Sequence, residues 1–288
     1  MESRARLYPF FWASLIFALG EIVTFAVVLA ARDFLEESRA VVPEISLELA
    51  LTYFFGVVVA MGVTLFLIPI SKLRLVLKAM FAFLFFWGIF IILWLTLPVQ
   101  VAVVVALVGG LMWFFKPKIW LHNLLLILTL VSSAVVFGAI IVPWSVLLLL
   151  LVISVYDVLA VRFGYMLWLA RKLSQSESLP AFVIPKRISG WNLELKETEI
   201  RRLIEDKAAE REFSILGGGD IGFPLLLIVS VFFAYDFTGS VIVAVFSLVG
   251  LGLAYWVQQA YLKGKPLPAL APISLGSFVG FLIVHFVL

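Results

Sequence analysis

The chain of 288 residues is 64% apolar and 15% aromatic, while its 21 basic and 18 acidic residues make up only 14%. Soluble domains run nearer half apolar and a quarter charged, and here the charges are also clumped: residues 171–213 hold 9 basic and 8 acidic side chains, leaving 22 for the other 245 positions. This excludes a soluble globular protein, and the formal net charge of +3 speaks to membrane orientation rather than to nucleic acid. With no cysteine, a disulfide framework, a thiolate nucleophile and a Cys-ligated metal are excluded as well.

Apolar runs predict membrane-crossing helices at 8–30, 47–68, 76–97, 99–115, 120–142, 144–161, 215–235, 239–262 and 269–287. Each is long enough, at 1.5 Å per residue, to approach or cross about 30 Å of hydrocarbon. The expected class is therefore an all-α polytopic membrane protein with nine transmembrane helices. Six fall in residues 1–170, with an aromatic interfacial segment, Phe163–Ala170, after the sixth; 171–213 is a polar cytoplasmic loop; three fall in 214–288. Pro98, and Pro143 with Trp144, predict tight turns between the third and fourth and between the fifth and sixth helices.

Charge placement tests the count, because basic residues in short loops stay on the cytoplasmic side. With nine spans and a cytoplasmic N-terminus, 19 of the 21 basic residues fall on that side; the other keeps Arg32 and Arg39, beside Asp33, Glu36, Glu37 and Glu44. The N-terminus and the 171–213 loop are thus expected inside and the C-terminus outside, in an integral protein of the cell membrane. Arg4 and Arg6 precede the first run as in a secretory signal, but the run is long and interrupted by Glu21, so an anchor is expected. In the polar loop, Ile200, Leu203, Ile204 and Phe213 recur at roughly helical spacing and predict a helix resting on the headgroups. No internal repeat is visible.

Ionisable groups inside spans are costly and mark the first places to look for function. They are Glu21, Asp157, Asp220, His122 and His285; Glu48 and Asp236 sit at span ends. Asp157 follows Tyr156 and precedes Arg162 by five residues; Asp220 follows Gly217, Gly218 and Gly219, five residues into the next run. Two antiparallel spans therefore present carboxyl groups at matching depth from one face. The plainer readings are an ion pair of Asp157 with Arg162, a hydrogen bond to backbone, and glycines that only let helices pack closely. A protonated, hydrogen-bonded carboxyl is the expected state of Glu21.

Two carboxyl groups sharing a site cannot both ionise cheaply, so one keeps a proton. The charged member can take a proton from water while the neutral one bonds a peptide carbonyl oxygen, which is the chemistry of aspartyl hydrolysis. It needs no metal and no cofactor. No His-Glu-x-x-His run exists, His122 is expected at the cytoplasmic interface, and Ser277 lies eight residues from His285 on one helix, about 12 Å along the axis. Pro266, Pro268 and Pro272 break the start of the last span, which fits either an ordinary helix start or an irregular wall facing a wet cavity.

Tyr156-Asp157, Gly217-Gly218-Gly219-Asp220 and Pro268-Ala269-Leu270, in that order along the chain, resemble the YD, GxGD and PAL motifs of the presenilin and signal peptide peptidase family. The resemblance implies an intramembrane aspartyl protease with Asp157 and Asp220 as catalytic dyad and with Tyr156, the glycines and Pro268, Ala269 and Leu270 shaping the site. Its substrates would be single-span transmembrane proteins or peptides in the lipid bilayer. The basic-residue bias matches the presenilin orientation, and the short loop and tail look like a compact microbial homologue; Gly218 stands where presenilins commonly carry leucine. The competing reading is a proton-coupled secondary transporter, since intramembrane acids and broken helices also mark transport paths; a third is a non-catalytic membrane scaffold.

Overall fold

The computed structural model describes residues 2–38, 45–165, 168–169, 173, 178–195, 213–260 and 268–287. Nine long helices dominate them: α1 (Glu2–Ser38), α2 (Leu47–Leu67), α3 (Ile70–Trp94), α4 (Val99–Phe115), α5 (Ile119–Gly138), α6 (Pro143–Arg162), α7 (Gly218–Ala234), α8 (Phe237–Ala260) and α9 (Leu270–Val287). Seven are long and apolar enough to cross a membrane; α4 and α7 have 17 residues each. Six of the residues of α4 are valines, which favour strands in water, yet they form a helix, the element that satisfies its own backbone.

Proline sets the breaks where the sequence predicts them. Pro98 precedes α4 and Pro143 opens α6, positions where a missing N–H costs no helical bond.

The helical class holds, but a two-stranded antiparallel sheet joins it. Strand β1 (Ala181–Pro185) pairs with β2 (Phe213–Gly217), Val183 opposite Ile215. Residues 213–217 therefore correct the start of the expected seventh run: its helix begins at Gly218 rather than 215. The polar loop likewise contains a fully buried apolar strand, Ala-Phe-Val-Ile-Pro, followed by a 3-10 turn over Ile188–Asn192. The expected helix around Ile200, Leu203 and Ile204 lies outside the described residues; Phe213 lies in β2.

The chain forms two compact units, one of Met1–Ala13, Gly56–Thr129 and Gly164–Gly218, the other of Ser14–Phe55, Leu130–Phe163 and Gly219–Leu288. In the first, α3 and α4 pack as an antiparallel pair around Phe81, Phe85 and Trp113, the last two rings edge to face at 4.9 Å. Gly88 lets α3 touch α5: a Cβ there would stand 2.5 Å from Thr129 Oγ1. In the second, α8 and α9 approach closely enough that a Cβ on Gly250 would stand 2.7 Å from Ile273 Cα. The Ser247 and Ser277 hydroxyls join across that seam at 2.8 Å. Small residues at such seams replace the missing hydrophobic drive between helices in lipid.

Candidate active site

Asp157 lies on α6, five residues before the helix ends at Arg162, and is 7% exposed. Its carboxyl accepts a hydrogen bond from the backbone amide of Leu270. Leu270 is the first residue of α9, so its N–H has no partner inside its own helix, and the carboxyl satisfies it as a capping side chain would. The Asp157 Oδ2 is buried and makes no hydrogen bond among the described residues. Arg162 is exposed and forms no ion pair with it among them. The ion-pair reading of Asp157 thus gives way, and the backbone bond accounts for only one oxygen. Buried polar atoms are nearly always paired, so a carboxyl oxygen kept without a partner calls for an explanation.

A second contact fixes the same two helices. The Ser154 and Ser274 hydroxyls hydrogen-bond at 2.7 Å, one turn before Asp157 and one turn after Leu270 on the side where α6 faces α9. These two rungs hold the start of α9, from Leu270 to Ser274, beside the Asp157 end of α6. Neither serine stands out in the sequence; a hydroxyl one turn from a buried acid in an apolar span was the available signal.

Asp220 is the third residue of α7 and is half-buried. The preceding chain is anchored: Gly218 N–H donates to the Pro180 carbonyl at 3.0 Å. Within α7, Pro224 has no N–H to donate to the Asp220 carbonyl four residues back, so the helix is loosened at the aspartate itself. Gly219 is exposed, whereas Gly222 lies against Leu130, where a Cβ would stand at 3.0 Å. The glycines accordingly divide: Gly222 serves helix packing, and Gly218 and Gly219 form the turn from strand to helix. An apolar cleft of about 170 Å³ opens between α5 and α7 along Gly219, Gly222 and Phe223.

Helix α2 ties the two aspartate regions together. Its adjacent residues Phe54 and Phe55 pack 5.2 Å apart. The Phe54 ring meets Phe223, one turn after Asp220, at 5.7 Å, and the Phe55 ring meets Tyr156, beside Asp157, at 6.4 Å. The neighbours of the two acids therefore stand at one level of α2, within one compact unit.

Of the remaining intramembrane groups, the two histidines and Ser277 take structural places. His122, expected near the cytoplasmic interface, is fully buried in the protein, with Nε2 donating to the Ala181 carbonyl at 3.1 Å. Beside it the Asn123 amide donates to the Val183 carbonyl at 2.7 Å and accepts from the Val183 N–H at 3.0 Å. The sequence reading missed both, because a strand inside the polar loop was needed to give these side chains a partner. His285 Nδ1 shares a 2.7 Å hydrogen bond with the Tyr235 hydroxyl and packs on Trp144. Ser277 is bonded across the α8–α9 seam instead. Glu21 is buried, with Oε1 making no hydrogen bond among the described residues.

Comparison with known proteins bears on this arrangement. The family model described as signal-peptide peptidase, presenilin aspartyl protease matches residues 13–288. No curated protein sequence matches the chain. Among solved structures, one titled a presenilin family intramembrane aspartate protease, in space group C222, superposes with a TM-score of 0.63 at 22% identity, covering 96% of this chain and 98% of that one. Another with the same description, in space group P2, gives 0.58 at 21% identity, covering 94% and 95%.

Proposed function

Because the chain belongs to the signal-peptide peptidase and presenilin aspartyl protease family, and so is an intramembrane aspartic endopeptidase, we propose that Asp157 and Asp220 are its catalytic pair. The observation that carries this is the convergence on α2: Phe54 and Phe55 touch the rings flanking each acid, at one level of the bundle. The family and the fold give no support to a transporter.

In the reaction one carboxyl is charged and the other neutral. The charged one takes a proton from a water whose oxygen attacks the peptide carbonyl carbon; the neutral one hydrogen-bonds the carbonyl oxygen as it becomes tetrahedral. Collapse breaks the C–N bond, with the proton delivered to the leaving nitrogen. The Leu270 amide holds Asp157 in place, which pre-orients the pair and lets the Oδ2 face the reacting water.

A helical substrate hides its peptide bonds and must unwind before water can reach them. The sheet offers an acceptor. In an antiparallel pair, backbone groups point alternately toward the partner and away. Val183 turns its N–H and C=O to Asn123, away from β2. Its opposite number Ile215 therefore turns its own outward on the other side. The outer edge of β1 is occupied by α5 side chains, so an unwound substrate would add to β2, which runs directly into Gly218, Gly219 and Asp220. Gly217 and Gly218 shape that entry, and Pro268, Ala269 and Leu270 with Tyr156 wall the Asp157 side.

All nine helices cross the bilayer in this reading, six before the 171–213 loop and three after, with the N-terminus and that loop cytoplasmic, the C-terminus outside and the cell membrane as location. The substrates are single-span transmembrane proteins or peptides. Reconstitution in liposomes with a labelled single-span substrate tests the dyad: Asp157→Ala and Asp220→Ala should each abolish cleavage while the helical spectrum is retained. Intact cleavage by either folded variant defeats the assignment. Exposed Ser189, changed to cysteine in this cysteine-free chain, should resist impermeant labelling from outside whole cells; ready labelling overturns the topology.

A further inference from the structure

Helix α2 is anchored at its start. The Ile45 N–H donates to the Ile140 carbonyl, just before α6, at 2.8 Å, and the Ser46 hydroxyl caps the helix by accepting from the Leu49 N–H at 3.3 Å. Two turns on, Phe54 and Phe55 are half-buried while Thr52, Tyr53, Gly56 and Val57 around them are exposed. Adjacent residues on a helix project about 100° apart, so the two rings reach different neighbours. Phe54 meets Phe223 of α7 edge to face at an interplanar angle of 74°, and Phe55 meets Tyr156 of α6 in the same way at 82°. Edge-to-face rings are a favoured arrangement, and each contact constrains the rotation of the helix it touches.

Both contacts fall beside an acid. Tyr156 precedes Asp157, so any turn of α6 that moves the Tyr156 ring carries the Asp157 carboxyl with it. Phe223 follows Asp220 by three residues and lies on the same side of α7. The other anchors of the two helices differ. Helix α6 is also held by α9, through the Leu270 amide and the Ser154–Ser274 bond. Helix α7 starts at two glycines, and Pro224 has no N–H to donate to the turn before it. Its first turn therefore depends more on side-chain packing, which Phe54 supplies.

We propose that Phe54 and Phe55 are positioning residues of the cleavage reaction: placed against α7 and α6, they set the separation at which the two aspartates share a proton. The proposal rests on the assignment of Asp157 and Asp220 as the catalytic pair. The two rings act through Phe223 and Tyr156 and take no part in proton transfer. Two carboxyls that share a proton titrate as a pair, and their two apparent values spread as the groups approach. The pH profile therefore reads the separation.

The test is cleavage of a labelled single-span substrate in liposomes, measured across pH. Phe54→Ala should lower kcat about 10- to 100-fold, the usual cost of misplacing a reacting group by about 1 Å, with KM within about twofold. The rising and falling limbs should draw together by about 0.7 pH unit, the change for a drift from about 5 to about 7 Å at an effective dielectric of about 20. Phe55→Ala should act in the same direction but less, because α9 still holds Asp157. Phe54→Tyr keeps the ring and should restore both readouts. Phe54→Leu keeps apolar volume without the ring and carries the test if the alanine variant folds poorly. Phe223→Ala should match Phe54→Ala, and the double variant should lose no more than either. The exposed Tyr53, changed to alanine, should alter neither readout. The ionisable side chains Glu48 on α2 and Tyr156 and Arg162 on α6 stay in place in every variant. A fall in kcat with unmoved limbs would make the rings merely structural, an effect on KM alone would put them on the substrate path, and additive losses at Phe54 and Phe223 would deny the contact. Each of these overturns the proposal, as does an equal effect of Tyr53→Ala. Failure of the pair itself shows differently, as cleavage that survives Asp157→Ala or Asp220→Ala.

Discussion

Replacing Asn123 by leucine, a side chain of similar size, should release strand β1 from α5. The Asn123 amide satisfies both the N–H and the C=O of Val183, a residue with no exposed surface. Leucine restores neither bond and blocks water from doing so. Each buried backbone group left without a partner costs about 1–3 kcal/mol, so the pair costs about 2–6 kcal/mol, a large share of the roughly 5–15 kcal/mol that hold a domain together. The loss falls on the sheet, because the helices keep their own backbone bonds. Amide hydrogen exchange of the segment 178–195 reads it directly: protection of Val183 should fall at least about thirtyfold, the equivalent of the lower bound. Since β1 pairs with β2 and β2 runs into the first turn of α7, cleavage of a single-span substrate should fall as well, with both aspartates intact. Unchanged exchange at Val183 in the variant would refute the reasoning, whatever happened to activity.

Other perturbations bear on the same framework. Gly276→Ala drives a methyl group into the Phe246 carbonyl oxygen; separating α8 from α9 should cost about 1–3 kcal/mol, and a thermal melt equal to that of the parent protein would contradict the packing. Ser154→Ala strips the buried Ser274 hydroxyl of its partner, and should lower kcat more than it changes KM, because it acts on how Asp157 is held rather than on substrate binding; a pure KM effect would speak against a positioning role. Pro224→Leu supplies a backbone N–H that proline cannot offer to the turn four residues back and should slow hydrogen exchange at the start of α7; no added protection there would count against the loosened turn. The rate of cleavage should rise and then fall with pH, since the pair works with one carboxyl charged and one neutral; a profile that changes in one direction only would exclude a shared proton.

Much of the architecture is legible without coordinates because a bilayer leaves few choices. An apolar run of about 20 residues has to be a helix there, and proline breaks such runs only at their ends or at a cost, so Pro98 and Pro143 mark true boundaries. Asp157 and Asp220 stand out for the same reason: a carboxyl in hydrocarbon is costly and marks where to look for function. Their sequence context supplied the family, which the match over residues 13–288 bears out.

What the chain alone left undecided concerns partners distant in sequence. Residues 181–185 and 213–217 are short apolar stretches whose pairing depends on bringing segments about thirty residues apart into register, and without that pairing β2 reads as the first turn of a span. The buried His122 and Asn123 find their partners only once a strand lies against α5. Periodicity reports which face of an element is apolar, and the Leu270 amide on Asp157, the Ser154–Ser274 rung and the Phe54–Phe55 link are set by which faces meet. The sequence by itself determined the solvent, the helices and the two acids, because each is a local cost or gain counted along the chain. Only the tertiary structure decided what holds those acids, because a hydrogen bond between helices over a hundred residues apart is fixed by packing and leaves no periodic trace.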